Sequence, residues 1–306
     1  MRFTLHPERV ERIVEAVEAG GHSYVDSLEK AEFLIFHGGP ADFPEPLPAN
    51  VRFVQTQMAG IDALHSAGVL ERSGVRWANA KGLYDETVAE SCLALLLAVG
   101  HQHKRVGMAA TWSVSGQVQA TTQFLSEEFT VAVIGAGGIG RRLLELLRPF
   151  RCRTIAVNRS GATVAEAEET VAMSQAEEVW SRADAFILLA PLTEETHRLV
   201  DARALNRMKP NAIVVNAGRG PLVDTDALVD ALRQGRIYGA GLDVTDPEPL
   251  PDGHPLWGMD NVVITPHTAN TIHHVHATVG GLAARNADLF AAGERMATEV
   301  DIEAGY

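Results

Sequence analysis

A short apolar run, Val131–Ile134, leads into Gly135-Ala136-Gly137-Gly138-Ile139-Gly140 and then into the amphipathic stretch RRLLELLRPF. No other stretch restricts the fold so strongly. In the G-x-G-x-x-G pattern the first glycine permits a tight turn, the second lets the backbone approach a pyrophosphate, and the third lets helix and strand pack closely. The helix that follows offers N–H groups and the positive end of its dipole to phosphates. The same glycines could form a turn that binds nothing, but between a strand and a helix they point to a dinucleotide site contacted by Gly135, Gly137, Gly138, Ile139 and Gly140.

The texture on either side agrees. After VAVIG come the helix to about Phe150, TIAVN, a helix near Ala165–Trp180, AFILLA, NAIVVNA, a helix over Asp224–Gln234, GAGLDV and NVVITP. Continuous apolar strands alternating with helices indicate a parallel sheet covered on both faces. Further toward the N-terminus, FLIF (33–36) and VRFVQ (51–55) read as buried strands around the Pro-rich loop GGPADFPEPLPAN, and a helix over Val88–Val99 opens with Asp85 and Glu86. The last helix, about His273–Ala292, follows the final strand, as in chains whose end returns to the first domain. The reading is an α/β protein of two doubly wound domains. Residues 1–97 plus 271–306 form an outer substrate-binding domain, and 98–270 an inner Rossmann dinucleotide-binding domain.

The strand TIAVN ends in Asn158-Arg159-Ser160, where an acidic residue would normally hold the adenosine ribose hydroxyls. No carboxylate there repels a 2′-phosphate, while Arg159 can pair with one and Ser160 can donate to it. NADP is therefore expected over NAD, although Arg159 as a solvated loop residue is the plainer alternative.

Three further strand ends carry polar groups: Asn216-Ala217-Gly218-Arg219-Gly220, Leu242-Asp243-Val244-Thr245-Asp246-Pro247-Glu248-Pro249, and Thr265-Pro266-His267-Thr268-Ala269. Ligands of open α/β sheets bind outside the carboxyl ends of strands, so these groups could converge on one site, with Asp243 expected among the cofactor-binding residues. An Arg can hold a carboxylate bidentately, an imidazole exchanges protons near neutral pH, and a carboxylate beside it orients it and favours its charged form. Arg219, Glu248 and His267 thus supply the anchor, tuner and proton donor for reducing a 2-keto acid. Singly each has a dull reading as a surface or structural residue, and the joint placement sets them apart.

The segments GAGGIG (135–140), NAGRGPLVDTDALVDAL (216–232), GLDVTDPEPLPDGHPLW (241–257) and TPHTA (265–269) together resemble the D-isomer-specific 2-hydroxyacid dehydrogenase family, which includes glyoxylate and hydroxypyruvate reductases. The resemblance implies hydride transfer between NADP(H), with NAD also usable, and a small anionic 2-keto acid. It makes Arg219 the group on the substrate carboxylate or keto oxygen, His267 the acid/base and Glu248 its partner. Met58-Ala59-Gly60-Ile61-Asp62 resembles the family's substrate loop, in which the N–H groups of Ala59 and Gly60 hold the carboxylate, and Asn79 precedes the family's hinge helix. Where the family has a Gly-rich PHxG, this chain has PHTAN. A homodimer is implied by resemblance only.

Composition narrows the partners. A net charge of −13 argues against general nucleic-acid binding, though a local Arg cluster still suits an anion. No run approaches the roughly 20 apolar residues of a membrane span, and the charged N-terminus lacks a signal-peptide core. With Cys92 and Cys152 its only cysteines, the chain suits a reducing compartment, and a cytoplasmic location is expected. His273, His274 and His276 lack the accompanying ligands of a metal site. His101 and His103 read as packing or interface groups, Trp112 as packing, and Trp257 as packing or pocket wall. Two rivals stand: a dinucleotide sensor, which need not keep the proton donor, and a formate or phosphite dehydrogenase on the same fold.

Overall fold

A computed structural model describes residues 1–302. They form two compact units, Met1–Tyr84 with the chain from Asn270 onward, and Asp85–Ala269. The crossings fall at Tyr84/Asp85 and Ala269/Asn270, not at 97/98 and 270/271. The first difference concerns one helix, Asp85–Gly100. An added Cβ at Gly239 would lie 2.7 Å from its Val99, and one at Gly241 2.9 Å from its Leu95, so this helix is seated on the second unit's sheet. Apolar spacing shows that a helix buries a face, not which sheet receives it.

In the first unit the strands are β1 (Arg2–His6), β2 (Ser23–Tyr24), β3 (Phe33–Phe36), β4 (Phe53–Thr56) and β5 (Arg76–Ala78). They pair in parallel in the order β2-β1-β3-β4-β5. Helices α1 (Glu11–Ala19), α2 (Asp62–Ser66) and α3 (Val69–Ser73) belong to this unit, as does the long α11 (Ile272–Ala291). FLIF is buried at all four positions because both faces of the sheet are covered. Phe33 stacks on Phe3 at 5.5 Å and on Phe53 at 4.8 Å, tying three adjacent strands through one aromatic column. The chain beyond α11 returns to β5, where Val300 donates to the Trp77 carbonyl at 2.8 Å.

The second unit opens with α4 (Asp85–Gly100), α5 (His103–Ala109) and α6 (Ser115–Thr121). Its strands are β6 (Thr130–Ile134), β7 (Arg153–Asn158), β8 (Glu169–Ala172), β9 (Ala185–Leu188), β10 (Ile213–Asn216), β11 (Gly239–Leu242) and β12 (Val262–Ile264). They run parallel in the order β12-β11-β10-β9-β6-β7-β8. Between them lie α7 (Gly138–Leu147), α8 (Ala202–Arg207), α9 (Thr225–Arg233) and α10 (Pro255–Gly258). The order reverses between β6 and β9, the point at which such sheets take a ligand.

Candidate active site

The glycine loop stands at that reversal. Gly135 has φ +100°, and a Cβ there would meet the Ala190 nitrogen after β9 at 2.4 Å, so the turn requires glycine twice over. At Gly140 a Cβ would lie 3.0 Å from the Gly135 carbonyl and 3.1 Å from Val133, the close helix–strand contact expected of the third glycine. Gly137 meets nothing within 4 Å, leaving its side of the turn open. The first helical bond runs from Arg141 N–H to the Gly137 carbonyl at 2.9 Å, so the N–H groups of Gly138, Ile139 and Gly140 point out along the axis of α7.

Past β7 the turn is built by Asn158. Its amide donates to the Ala162 carbonyl at 2.7 Å and accepts from Gly161 N–H at 2.7 Å. Expected to face the cofactor, Asn158 therefore spends its side chain on the turn itself. Arg159 and Ser160 are exposed on the outside of that turn.

Arg219, Glu248 and His267 stand at the carboxyl ends of β10, β11 and β12. The arginine loop is fixed from behind: Asn216 donates to the Arg219 carbonyl at 2.9 Å and accepts from Gly218 N–H at 3.2 Å. A Cβ at Gly220 would stand 1.9 Å from the Thr245 carbonyl, so the loop with Arg219 and the loop with Glu248 are packed backbone to backbone. Thr225 adds a hydroxyl bond to the Asp246 carbonyl at 2.6 Å. His267 sits at φ +53°, a conformation uncommon for a residue with a side chain, and its N–H bonds the carbonyls of Asp243 and Thr265, each at 2.9 Å. Its Nδ1 meets Glu248 Oε1 at 2.6 Å. With the carboxylate as acceptor, Nδ1 carries the proton and Nε2 is the atom presented outward.

A match to the model of the D-isomer specific 2-hydroxyacid dehydrogenase NAD binding domain covers residues 92–269. This chain belongs to that family. A glyoxylate reductase of Pyrococcus furiosus is 33% identical over 259 residues, 83% of this chain and 76% of the relative. An uncharacterized protein in the proB 3′ region of Corynebacterium melassecola is 55% identical over the full length of both chains. A D-isomer specific 2-hydroxyacid dehydrogenase of Xanthobacter autotrophicus, solved with NADPH and MES, superposes with a TM-score of 0.82 at 23% identity, covering 100% of this chain and 99% of its own.

As a D-isomer specific 2-hydroxyacid dehydrogenase, the protein is an oxidoreductase that uses a nicotinamide dinucleotide, and its residues fit that group. The open side of Gly137 and the unbonded first turn of α7 form the cradle a diphosphate needs. One neighbour was not foreseen. The Asp85 carboxylate lies where a Cβ on Gly138 would be, at 2.2 Å, placing a negative charge at the N-terminus of α7. Read from sequence, Asp85 serves only its own helix.

Asp243 was expected beside the cofactor, and its carboxylate is engaged by the protein. It accepts the Thr265 hydroxyl at 2.6 Å, Thr268 N–H at 2.9 Å and Ala269 N–H at 3.1 Å, and so shapes the loop that carries His267. In the first unit the segment Met58–Gly60 is held by its carbonyls. Asn79 donates to the Ala59 carbonyl at 3.0 Å and Ala80 N–H to that of Met58 at 2.9 Å. Behind Asn79 lies a buried network that sequence reasoning missed. Asn286 of α11 donates to Gln55 Oε1 at 2.7 Å, and Gln55 donates to the Asn79 carbonyl at 2.9 Å. Polar residues inside otherwise apolar strands and helices were the available signal. Among the described residues no group of three or more His, Cys, Asp or Glu could hold a metal, and no helix is long and apolar enough to cross a membrane.

Proposed function

We propose that the enzyme reduces a small anionic 2-keto acid, such as glyoxylate or hydroxypyruvate, with NADPH in preference to NADH. The observation that carries this reading is the 2.6 Å bond between His267 Nδ1 and Glu248 Oε1, beside an arginine loop locked to the glutamate loop. When bound, a nicotinamide dinucleotide supplies the hydride for the carbonyl carbon. Arg219 pairs with the substrate carboxylate or polarises the keto oxygen. His267 gives its Nε2 proton to that oxygen as charge develops on it, and Glu248 steadies the imidazolium beforehand. In the first unit Ala59 and Gly60 offer their N–H groups to the carboxylate, their loop being anchored through its carbonyls. A sensor would have no use for a positioned proton donor, which favours turnover.

Support for NADPH comes from the turn after β7, where exposed Arg159 and Ser160 stand in place of a carboxylate. We also propose a cytoplasmic homodimer. Cys92 and Cys152 are both free thiols, as suits a reducing compartment. On α5 and α6 a groove of about 410 Å³ is lined by Val106, Ala110, Val114 and Val118, with Trp112 at its edge 91% exposed. Knob and groove on one segment suit a two-fold contact with a second copy.

The test is steady-state oxidation of NADPH and NADH with glyoxylate and hydroxypyruvate, and reduction of NADP⁺ and NAD⁺ with formate and phosphite, with sedimentation for the mass. Turnover of the 2-keto acids with NADPH at least tenfold more efficient supports the reading. Turnover of formate or phosphite alone, or none despite cofactor binding, overturns it.

A further inference from the structure

The first unit's sheet has its own reversal, between β1 and β3, and open α/β sheets take ligands outside the carboxyl ends of the strands at such a point. Titratable groups gather there. His6 ends β1, Glu8 follows it, and His37 follows β3. His273 and His276 come from the first turns of α11. The rings of His37 and His276 meet edge to face, 6.4 Å apart at 72°. His37 Nε2 lies 2.9 Å from the Glu8 carbonyl and must donate to it.

Gln57 joins this cluster from the next strand. It is 4% exposed, and its Nε2 donates to the His37 carbonyl at 3.4 Å. Its Oε1 is buried without a partner, so the spot is short of donors. The next residues are Met58, Ala59 and Gly60, and β3 and β4 pair to their last residues, Phe36 with Thr56. The histidine cluster and the loop expected to hold the substrate carboxylate thus spring from neighbouring strand ends, about 4.8 Å apart.

We propose that His37 and His276 form a subsite for a second carboxylate on the substrate, which narrows the preferred substrate to a 2-keto dicarboxylate. This rests on the 2-keto acid reading above. The titratable groups acting on His276 are His37, His273 on the same helix and Glu8 on the β1–α1 connection. Burial, then the neighbouring His37 and His273, hold His276 below the ordinary imidazole range, and Glu8 opposes them. His276 therefore holds a proton less readily than an ordinary imidazole. A carboxylate entering the pair brings a proton from solvent onto an imidazole, which then donates to the carboxylate. Preference for a dicarboxylate then rises as pH falls through the anion-bound imidazole's range and levels off below that of the empty site.

The test compares kcat/KM for 2-oxoglutarate and oxaloacetate with that for glyoxylate from pH 6 to 8.5. The ratio cancels the shared dependence on His267. It is expected to fall about tenfold across that range for one proton taken up. His276→Gln should flatten it, and His276→Arg, with a fixed charge, should keep a dicarboxylate preference at pH 8.5. In parallel, imidazole NMR with succinate as probe should move the His276 titration upward by about one pH unit. Glyoxylate turnover with a flat wild-type ratio, or a ratio unchanged in His276→Gln, overturns the subsite alone. If no 2-keto acid is reduced, the parent reading fails and the succinate titration decides: an upward shift supports the anion site and no shift overturns it.

Discussion

The Asp243 carboxylate takes the Thr265 hydroxyl at 2.6 Å from a position only 3% exposed, and the loop with His267 is built around that carboxylate. Two backbone N–H groups beyond His267 also end on it, and His267's own N–H ends on the Asp243 carbonyl. The left-handed backbone at His267 is sustained by these bonds. Asp243→Ala should therefore cost about 3 kcal/mol of stability and lower kcat by about 100-fold. Asp243→Asn, which keeps one acceptor oxygen, should recover most of the stability. Thermal unfolding and turnover measured on both variants check this. A fully active Asp243→Ala enzyme would contradict it.

His267 holds Nε2 outward because Glu248 occupies Nδ1. His267→Asn should lower kcat by about 10²–10⁴-fold, the usual worth of a positioned acid, while leaving the dissociation constant of the dinucleotide within about twofold. Glu248→Gln can still accept from Nδ1 but carries no charge to steady an imidazolium, so its loss should be smaller, about 10-fold or more. Stopped-flow turnover beside fluorescence titration of the cofactor separates the two effects. Equal loss of binding and turnover would make His267 a structural residue.

Asp85 faces the diphosphate cradle from α4. A unit charge near a diphosphate, partly screened by water, costs about 1 kcal/mol, or about fivefold in affinity. Asp85→Asn should tighten NADPH and NADH alike by about that factor. It should also lower stability by about 0.5 kcal/mol, because the carboxylate serves helix N-termini. Isothermal titration with both cofactors reads the first effect, and weaker binding would show that Asp85 helps to order the loop instead.

Much of this was legible in the sequence, and for identifiable reasons. The glycines at 135, 137 and 140 carry their requirement in their own backbone, so a strand, a turn and a helix around them could be read directly. Arg219, Glu248 and His267 lie at strand ends, and parallel topology brings strand ends together. What stayed hidden depends on distant pairing. Whether α4 belongs to one sheet or the other is decided by its fit against Gly239 and Gly241, more than 130 residues away. Asp85 at Gly138 and Asn286 on Gln55 are likewise contacts between segments that no local pattern links. Asn158 looked like a ligand because its position is right, but a short polar side chain beside a glycine turns back on its own loop.

The two thiols give a prediction about pH. Burial, with the Asp243 charge behind it, pushes the Cys92 thiol up to about 12, and burial pushes that of Cys152 up to about 11. Both stay protonated in the folded protein at pH 8, so a thiolate-selective disulfide reagent should label neither until the chain unfolds. A thiol whose folded value is raised holds its proton longer than the unfolded chain does. Its contribution to stability is complete below the ordinary thiol range and is lost as pH rises toward 11–12. Rapid labelling of the native protein at pH 8 would show that one of these sites opens.

Arg159 is the last residue whose role can be isolated. It is exposed on a turn whose backbone is held by Asn158. An ion pair with a 2′-phosphate at a partly exposed site contributes about 1–2 kcal/mol, a factor of about 5–30. NADH has no group for it to meet. Arg159→Ala should therefore raise the KM for NADPH by about that factor and leave NADH within about twofold. Raising salt should erode the NADPH preference of the parent enzyme and have little effect in the variant. Equal losses for both cofactors would place Arg159 on the adenosine they share, and the preference for NADPH would then need another source.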